Sequence, residues 1–380
     1  MRVNPVIAAL GEYPIGRLQE QARTMRAAGQ QVLDFSIGDP LEPTPAFIRE
    51  TVREAIPEVS QYPTTIGLPA LRQAIAAYLR RRFGVVVDPE TQILPTSGSK
   101  EAIFSTALAF VDRNRGDAVG WPTPGYPIYE RGALLAGARP HPVRLGDDFI
   151  LRAGQITADE WKAIALLWIC TPHNPAGSVT SLEELKNLYA RARDSDTLIC
   201  SDECYADVYE DDPPASILSV SGSKFEGCLS YLSLSKRSGM TGYRSGAIVG
   251  DAAAIKTLRS LRTSTGTASP EFVQTGATAA WSDDQHAADR REIFRRKREV
   301  LRKAFESVGH QVVASTAGIY LWVNVGDDVA IAGRLLEDGI LVTPGRAFGP
   351  GGEGHVRLAL VPTLDECDEA AEALVRCLAS

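Results

Sequence analysis

The chain has 380 residues, of which 44% are hydrophobic and 23% charged. These values describe an ordinary globular protein long enough for two domains. The net charge of −7 argues against nucleic acid as a main partner. No apolar run approaches the roughly 20 residues of a membrane span, and residues 1–10 lack the apolar core of a secretory signal. We therefore predict a cytoplasmic protein with neither a nucleic-acid nor a membrane partner.

The cysteines and histidines suggest no metal site. The six cysteines form no CxxC pair, and the five histidines show no HExxH spacing. Cys170 and Cys200 end apolar runs that resemble buried strands, so we expect reduced thiols inside the core.

Helical and strand-like patterns alternate over most of the chain. The first 30 residues predict an arm and a short helix, and a strand at 34–37 precedes a helix at 46–56. Further strands are predicted at 93–96, 165–170, 197–200 and 229–234, with helices at 101–110 and 181–192 among them. This alternation predicts an α/β fold with a mostly parallel sheet flanked by helices.

The C-terminal part has a different pattern. Residues 290–303 are strongly basic but include Glu292 and Glu299 at helical spacing, which predicts a solvent-facing helix rather than a nucleic-acid site. Strand-like segments at 319–325 and 356–360 then flank a predicted helix at 329–336. We expect a smaller α+β domain here. The predicted division is an arm with part of the small domain at 1–45, a large domain at 46–285 and a small C-terminal domain at 286–380.

Lys236 is the most informative residue. It lies in the run Ser-Leu-Ser-Lys-Arg-Ser-Gly-Met-Thr-Gly-Tyr-Arg, which begins at Ser233 and ends at Arg244. A lysine amine is a nucleophile when it condenses with an aldehyde to form a Schiff base. Neighbouring hydroxyls and a guanidinium suit a phosphate. The run therefore indicates a phosphate-bearing aldehyde cofactor, whereas a surface loop with a solvated lysine is the alternative.

Polar residues also follow three other predicted strands. Ser97-Gly98-Ser99-Lys100 opens a helix, and helix N-termini bind anions. Asn174 offers an amide in a turn rich in proline and glycine. Asp202 ends a buried strand, where a carboxylate needs a cationic partner such as a pyridinium N–H, although capping a following helix is another interpretation.

The spacing of three of these residues favours a single site. Asn174, Asp202 and Lys236 are separated by 28 and 34 residues, near the roughly 30 residues of one strand-plus-helix unit. Ligands bind at the carboxyl ends of parallel strands. We therefore expect all three side chains on one rim of the sheet.

The order of these motifs resembles the pyridoxal-phosphate-dependent class I/II aminotransferases of fold type I. The resemblance covers essentially the whole chain and is most specific in Asn174-Pro-x-Gly, Asp202-x-x-Tyr205 and Ser235-Lys236-x-x-x-Met-x-Gly-x-Arg244-x-Gly. It implies a seven-stranded type of sheet and a homodimer with shared active sites. Ala176 departs from the threonine that many relatives have, which leaves the expected cofactor site intact.

The resemblance also implies a role for each site residue. Lys236 would form the Schiff base and move the substrate proton, Asp202 would pair with the ring nitrogen, and Asn174 and Tyr205 would bond the ring hydroxyl oxygen. The expected phosphate contacts are Gly98, Ser99, Lys100, Ser233, Ser235 and Arg244. Tyr126 would stack on the ring, and Tyr62 would reach the phosphate of the neighbouring subunit. Arg357, with Gly38 and Asn174, would hold the substrate α-carboxylate, since a guanidinium suits a planar carboxylate.

The same resemblance reduces the number of candidate substrates. The runs 36–45, 61–63 and 97–101 are most similar to succinyldiaminopimelate aminotransferases, which implies N-succinyl-LL-2,6-diaminopimelate and 2-oxoglutarate as partners. Aspartate, alanine and LL-diaminopimelate aminotransferases are also close. Both expected partners have a distal carboxylate, for which Arg17, Arg262 and Arg346 are candidates.

Other functional classes agree less well with the sequence. A carbon–sulfur lyase uses the same cofactor apparatus, and the motifs do not exclude it. A transcription regulator that fuses a DNA-binding domain to this fold is disfavoured, because about 30 residues before the first strand are too few for a winged helix. A dehydrogenase is disfavoured because no GxGxxG is followed by the acidic residue.

Overall fold

The computed structural model describes residues 1–9 and 16–379. The helices in these ranges are α1 (Pro5–Ala9), α2 (Gly16–Ala27), α3 (Ala46–Glu54), α4 (Pro69–Phe83), α5 (Ser99–Phe110), α6 (Ile128–Ala136), α7 (Ala158–Ala163), α8 (Leu182–Asp194), α9 (Leu234–Arg237), α10 (Ala252–Thr265), α11 (Glu271–Ser282), α12 (Gln285–Ser307), α13 (Asp328–Glu337) and α14 (Leu364–Leu378). The strands are β1 (Leu33–Asp34), β2 (Ile93–Thr96), β3 (Ala118–Thr123), β4 (Arg139–Arg144), β5 (Ile164–Cys170), β6 (Leu198–Asp202), β7 (Cys228–Ser233), β8 (Gly246–Gly250), β9 (Gln311–Val313), β10 (Tyr320–Asn324), β11 (Ile340–Leu341), β12 (Thr343–Pro344) and β13 (His355–Ala359).

Seven of the strands form one sheet in the order β2-β8-β7-β6-β5-β3-β4. All neighbours run parallel except β8, which is antiparallel to both β2 and β7. The strands are buried on both faces apart from the edge strand β4, as expected when helices cover a parallel sheet. The predicted α/β class with a mostly parallel, helix-flanked sheet is confirmed.

A second sheet has four strands in the order β12-β13-β10-β9, all antiparallel. A short parallel pair, β1 with β11, brings residues 33–34 to the same part of the molecule. One apolar cluster joins Leu33 and Phe35 to residues from the C-terminal elements, including Leu301 and Leu374. This packing agrees with an N-terminal segment that joins a smaller α+β unit, and the boundaries near residues 45 and 285 stay a prediction.

The basic helix α12 differs from its prediction. We expected a solvent-facing helix, but Lys297 and Arg298 are fully buried. Lys297 is ion-paired with Glu42, and Arg298 lies 3.7 Å from Glu210. The predicted helix is confirmed, and Glu292, Arg295 and Lys303 lie on its exposed face. The prediction was wrong for Lys297 and Arg298, because their acidic partners come from distant parts of the chain and neutralise the face that α12 packs inward.

Two further findings concern the predictions about membrane spans and about the cysteines. Among residues 1–9 and 16–379, no helix is both long and apolar enough to cross a membrane. In the described part of the chain the six cysteines form no disulfide, and all are buried except Cys204, which is half-buried.

Candidate active site

The carboxyl ends of β5, β6 and β7 meet at one rim of the large sheet. Cys170 pairs with Asp202, and Asp202 pairs with Tyr231 two residues before β7 ends. The loop after β5 holds Asn174, β6 ends at Asp202, and the short helix α9 after β7 holds Lys236. The strand-by-strand spacing in the sequence therefore corresponds to three adjacent strands, whose polar residues surround a cavity of about 260 Å³.

One end of the cavity is built to hold an anion. Helix α5 begins at Ser99, and Ser99 and Lys100 of its first turn line the cavity, so the helix N-terminus borders it. The Arg244 guanidinium lies over Gly98, where a β-carbon would collide with it, and Gly98 has a left-handed φ of 78°. Ser233 and Ser235 line the same end. A guanidinium, a helix N-terminus and hydroxyl groups together suit a phosphate.

Lys236 also lines the cavity. Helix α9 begins after Ser233, whose hydroxyl accepts a hydrogen bond from the Ser235 N–H at 3.1 Å. The Lys236 amine donates to the Gly38 carbonyl oxygen. Burial lowers the pKa of Lys236 to about 8, with smaller opposing contributions from Asp39 and Cys204. A large fraction of this amine is therefore neutral and nucleophilic near pH 8.

The neighbouring Arg237 has a different, structural environment. Its guanidinium binds Asp207 at 2.7 Å and Asp284 at 2.8 Å. Its side chain is buried away from the cavity. The two adjacent cations of the sequence thus have separate surroundings, and only Lys236 faces the cavity.

The lowered pKa of Lys236 gives a pH prediction. The reaction of the apo-protein with pyridoxal phosphate should accelerate as pH rises, with a midpoint near pH 8 instead of the value near 10.5 of an ordinary lysine. The reason is that only the deprotonated amine attacks an aldehyde. Stopped-flow growth of the visible band between pH 6 and 10 measures this. A midpoint above pH 10 would contradict the buried environment of Lys236.

Asp202 is a buried carboxylate at the cavity wall. Tyr129 donates to its Oδ2 at 2.8 Å, and the Cys204 N–H donates to its Oδ1 at 3.2 Å. Burial raises the pKa of Asp202. No helix begins after β6, because residues 204–207 form a turn, so Asp202 does not cap a helix. The alternative holds only in that Asp202 stabilises this turn through the Cys204 N–H. A buried carboxylate that opens into a cavity suits a cationic N–H partner.

The opposite end of the cavity is built around Arg357. One of its nitrogens donates to Asn174 Oδ1 at 3.1 Å and another to the Ser36 carbonyl at 2.6 Å. The guanidinium lies between the rings of Tyr320 and Phe348, at 4.4 and 4.6 Å from their centroids. Its buried Nε has no hydrogen-bond partner. A guanidinium fixed in this way can bind a carboxylate.

Most of the predicted site residues line this one cavity. They are Gly38, Ser99, Lys100, Tyr126, Asn174, Asp202, Tyr205, Ser233, Ser235, Lys236, Arg244 and Arg357. Gly98 lies beside it under Arg244. Tyr62 does not reach it and is fully exposed, with 102% of its reference area accessible.

The three arginines considered for a distal carboxylate lie outside the cavity. Arg17 is exposed. Arg262 is 2% exposed and binds both oxygens of Glu101, at 2.6 and 2.8 Å. Arg346 is paired with Asp328 at 2.7 Å, but it lines a second cavity of about 510 Å³ that shares Tyr126 and Phe348 with the first.

The sequence did not reveal several residues of the site. Tyr320, Phe348 and Tyr129 contact predicted site residues but were not predicted. Tyr320 reaches the cavity because β10 pairs with β13, the strand of Arg357. No local pattern reports that register. Tyr129 had a usable signal, since it lies three residues after Tyr126, in the first turn of α6.

Comparison with known proteins gives a consistent result. A sequence profile described as "Aminotransferase class I and II" matches residues 30–374. The 4-dedimethylamino-4-oxo-anhydrotetracycline transaminase OxyQ of Streptomyces rimosus is 38% identical, over 96% of this chain and 99% of that relative. An LL-diaminopimelate aminotransferase of Aquifex aeolicus is 34% identical, over 97% of each chain.

Solved structures give the same picture. An aminotransferase from Neisseria meningitidis is 36% identical with a TM-score of 0.91, and the match covers 99% of both chains. A probable N-succinyldiaminopimelate aminotransferase from Thermus thermophilus is 26% identical with a TM-score of 0.88, over 95% of this chain and 99% of that one.

Proposed function

We propose that this protein transfers the amino group of a diaminopimelate-type amino acid. The proposal starts from the premise that the chain belongs to the class I and II aminotransferases and depends on pyridoxal phosphate. The amino group would pass between N-succinyl-LL-2,6-diaminopimelate, or LL-diaminopimelate itself, and 2-oxoglutarate. The observation that carries the proposal is the convergence of Lys236, Asp202, Arg244 and Arg357 on one cavity.

The residues of the cavity fit the cofactor. Because Gly98 has no β-carbon, the Arg244 guanidinium can lie directly against it, close to the N-terminus of α5. The guanidinium and the helix N-terminus together suit an anion. Asp202 is a buried carboxylate without a cationic partner among its hydrogen bonds. Lys236 supplies an amine between these two ends. In this proposal Arg244, Ser99, Ser233 and Ser235 would hold the phosphate, and Asp202 the ring nitrogen.

Pyridoxal phosphate, when bound, supplies an aldehyde for Schiff-base exchange and a ring that accepts electrons from the substrate α-carbon. Asp202 would favour that electron flow, because its carboxylate would stabilise a protonated ring nitrogen. Lys236 would hold the aldehyde group when no substrate is bound, and its free amine would act as the general base that takes the α-proton and gives it back. Two such half-reactions give ping-pong kinetics.

Arg357 and Tyr126 orient the substrate in this scheme. Arg357 would bind the α-carboxylate with two parallel hydrogen bonds, which fixes the direction of the α-proton relative to Lys236. Tyr126 packs edge-to-face on Tyr129, with ring centroids 5.7 Å apart, and closes one side of the cavity. Asn174 and Tyr205 would bond the ring hydroxyl oxygen.

The diaminopimelate assignment is supported by relatives that share nearly the whole chain. It is also supported by the second cavity beside Tyr126, which could receive the far end of a long substrate. Arg346 lines that cavity, so we propose Arg346, and neither Arg17 nor Arg262, as the residue nearest the distal carboxylate.

A second candidate is amination of a polycyclic ketone. It is favoured by the 38% identity to OxyQ, whose name describes a transaminase of a tetracycline precursor. The second cavity has apolar walls formed by Trp121, Leu134, Pro140 and Pro142, which suit a flat apolar ring system as well as an aliphatic chain.

The test is a half-reaction measured with one amino acid at a time and no acceptor. LL-diaminopimelate, its N-succinyl derivative and L-glutamate should each bleach the visible band of the protein loaded with pyridoxal phosphate. Bleaching with L-glutamate alone would keep the aminotransferase and remove the diaminopimelate substrate. Amination of 4-dedimethylamino-4-oxo-anhydrotetracycline by the aminated protein would then favour the second candidate. Release of pyruvate and ammonia, without an acceptor, from an amino acid with a sulfur substituent on its β-carbon would indicate a carbon–sulfur lyase instead.

The same assay tests Arg346. Arg346→Gln should slow bleaching by N-succinyl-LL-diaminopimelate but not by L-alanine, which has no distal carboxylate. Equal slowing with both would mean that the variant disturbs the loop at 345–350 and not substrate recognition.

We also propose a homodimer in which Tyr62 enters the active site of the neighbouring subunit. Ile56, Val59, Tyr62 and Ile66 are exposed within a single short stretch, and such a concentration of exposed apolar side chains is typical of an interface. Light scattering should give twice the 41.0 kDa of one chain. A monomeric mass in the active protein would contradict this assembly. The cytoplasmic location stays a prediction.

A further inference from the structure

Tyr320 touches two functional ends of the cavity at once. It is the first residue of β10 and is 3% exposed. Its hydroxyl lies 2.8 Å from the hydroxyl of Tyr205, and the two rings pack edge-to-face with centroids 5.5 Å apart. The face of the same ring lies 4.4 Å from the Arg357 guanidinium.

The position of Tyr320 is fixed by close packing against the chain. A β-carbon on Gly38 would lie 2.7 Å from the Tyr320 hydroxyl oxygen, so residue 38 fits against this phenol only as glycine. The carbonyl oxygen of Gly38 also accepts the hydrogen bond from Lys236. Tyr320 is therefore closely packed against residue 38 as well as against Tyr205.

The direction of the hydrogen bond between the two phenols follows from the charges around them. The titratable neighbours are Asp202 and Cys204 beside Tyr205, Cys170 from β5 and Arg357 from β13. Burial raises the pKa of both Tyr205 and Tyr320, so both phenols stay neutral. Either hydroxyl could donate in this pair, but the Arg357 guanidinium lies over the Tyr320 ring at 4.4 Å, and a cation so close to the ring makes the Tyr320 O–H the more acidic of the two. We therefore assign Tyr320 as the donor and Tyr205 as the acceptor, which leaves the Tyr205 proton available for the cavity.

We propose that Tyr320 is a positioning residue whose hydroxyl holds Tyr205 as a hydrogen-bond donor toward the cofactor, while its ring separately holds Arg357 for the substrate carboxylate. The inference rests on the proposed function, in which Tyr205 donates to the ring hydroxyl oxygen of pyridoxal phosphate. A phenol that accepts one hydrogen bond is a stronger donor in its next one.

The two contacts can be separated by two substitutions. Tyr320→Phe removes the hydroxyl and keeps the ring over Arg357. Tyr320→Leu removes both. The matched control is Tyr231→Phe, because the Tyr231 hydroxyl is equally buried and forms a 2.7 Å hydroxyl pair with Thr106 that does not line the cavity.

The first readout is the pH midpoint of the visible band of the loaded protein without substrate. The midpoint would report the pKa of the Lys236 nitrogen while that nitrogen is bonded to the cofactor. Loss of its proton would increase the negative charge on the ring oxygen, and a hydrogen bond from Tyr205 would stabilise that charge. A weaker donor at Tyr205 would therefore raise this pKa. Tyr320→Phe should raise the midpoint by about 0.5 pH units, as expected for loss of part of one hydrogen bond.

The second readout is steady-state kinetics with one amino acid. Tyr320→Phe should lower kcat and leave KM near the wild-type value, whereas Tyr320→Leu should also raise KM because Arg357 loses one of its two aromatic neighbours. Tyr231→Phe should change neither the midpoint nor KM.

Three results would overturn the proposal. They are an unchanged midpoint in Tyr320→Phe, an equal shift in Tyr231→Phe, and a KM increase that is the same for the Phe and Leu variants. Absence of any visible band in the wild-type protein is a different outcome, since it would overturn the proposed function itself. Cofactor content and the far-ultraviolet circular dichroism spectrum of each variant exclude a folding defect.

Discussion

Lys236→Ala should abolish transamination, with kcat falling by about 10⁴-fold or more, because the substitution removes both the nucleophile and the general base. The other amine that lines the cavity, Lys100, lies in the first turn of α5 and is exposed. It is therefore poorly placed to substitute for the buried amine. Turnover of purified wild-type and variant protein with L-glutamate and 2-oxoglutarate measures the effect.

Chemical trapping makes this experiment specific to the residue. Reduction of the loaded wild-type protein with borohydride, followed by peptide mass analysis, should place the cofactor on Lys236. Lys162→Ala is the control, since Lys162 is an exposed helix residue paired only with Asp159. A Lys236→Ala protein that turns over normally, or an adduct on Lys100, would show that the central residue has been misassigned.

Asp202→Asn is expected to have the second largest effect, lowering kcat/KM by about 10²–10⁴-fold. Loss of one partner of a buried charge pair costs about 3–5 kcal/mol, which corresponds to this range of rates. Asparagine has the same shape and can still accept the hydrogen bond from Tyr129. It cannot balance a protonated ring nitrogen, so the electron demand of the ring should fall while Lys236 still reacts with the aldehyde.

Glu203→Gln is the matched control for this substitution. Glu203 is the adjacent buried carboxylate, and burial raises its pKa as it does that of Asp202. Its oxygens accept from the Ile217 N–H and the Ser230 hydroxyl, both at 2.8 Å, and it does not line the cavity. Rates per bound cofactor should fall only in Asp202→Asn. An equal loss in Glu203→Gln would mean that the rim as a whole, and not the charge at residue 202, controls the rate.

The part of the site that lies at strand ends could be predicted from the sequence. Asn174 and Lys236 follow β5 and β7, and Asp202 ends β6, so successive strands of the sheet carry the three residues. Helix α8 connects β5 to β6, whereas the connection from β6 to β7 holds a turn and a short 3-10 segment at Ile217–Ser219. The spacing of about 30 residues therefore indicated a shared rim, although a strand-plus-helix unit accounts only for the first interval. The family resemblance then supplied their chemical roles.

Long-range register could not be predicted in the same way. Tyr320 meets Arg357 because β10 and β13 pair antiparallel, with Trp322 opposite Arg357, and no local signal encodes that pairing. Lys297 and Glu42 are paired across 255 residues of sequence. The basic composition of α12 therefore suggested a solvated face, although distant carboxylates neutralise the buried part of it.

Strand β8, the one antiparallel strand of the seven-stranded sheet, was missed for a related reason. Gly246–Gly250 is a short apolar run bounded by glycines, and such runs do not distinguish parallel from antiparallel pairing. Its insertion between β2 and β7 places Arg244, just before the strand, beside Gly98, just after β2. The proposed phosphate site at Gly98 and Arg244 therefore depends on a strand order that the alternation of helices and strands does not specify.

The most direct test of the account is the visible spectrum of the purified protein after loading with pyridoxal phosphate, recorded before and after addition of L-glutamate without an acceptor. The account predicts a visible band that disappears on addition of L-glutamate and returns with 2-oxoglutarate, and that is absent in Lys236→Ala. A wild-type protein that forms no visible band would contradict the assignment of Lys236 and, with it, the proposed active site.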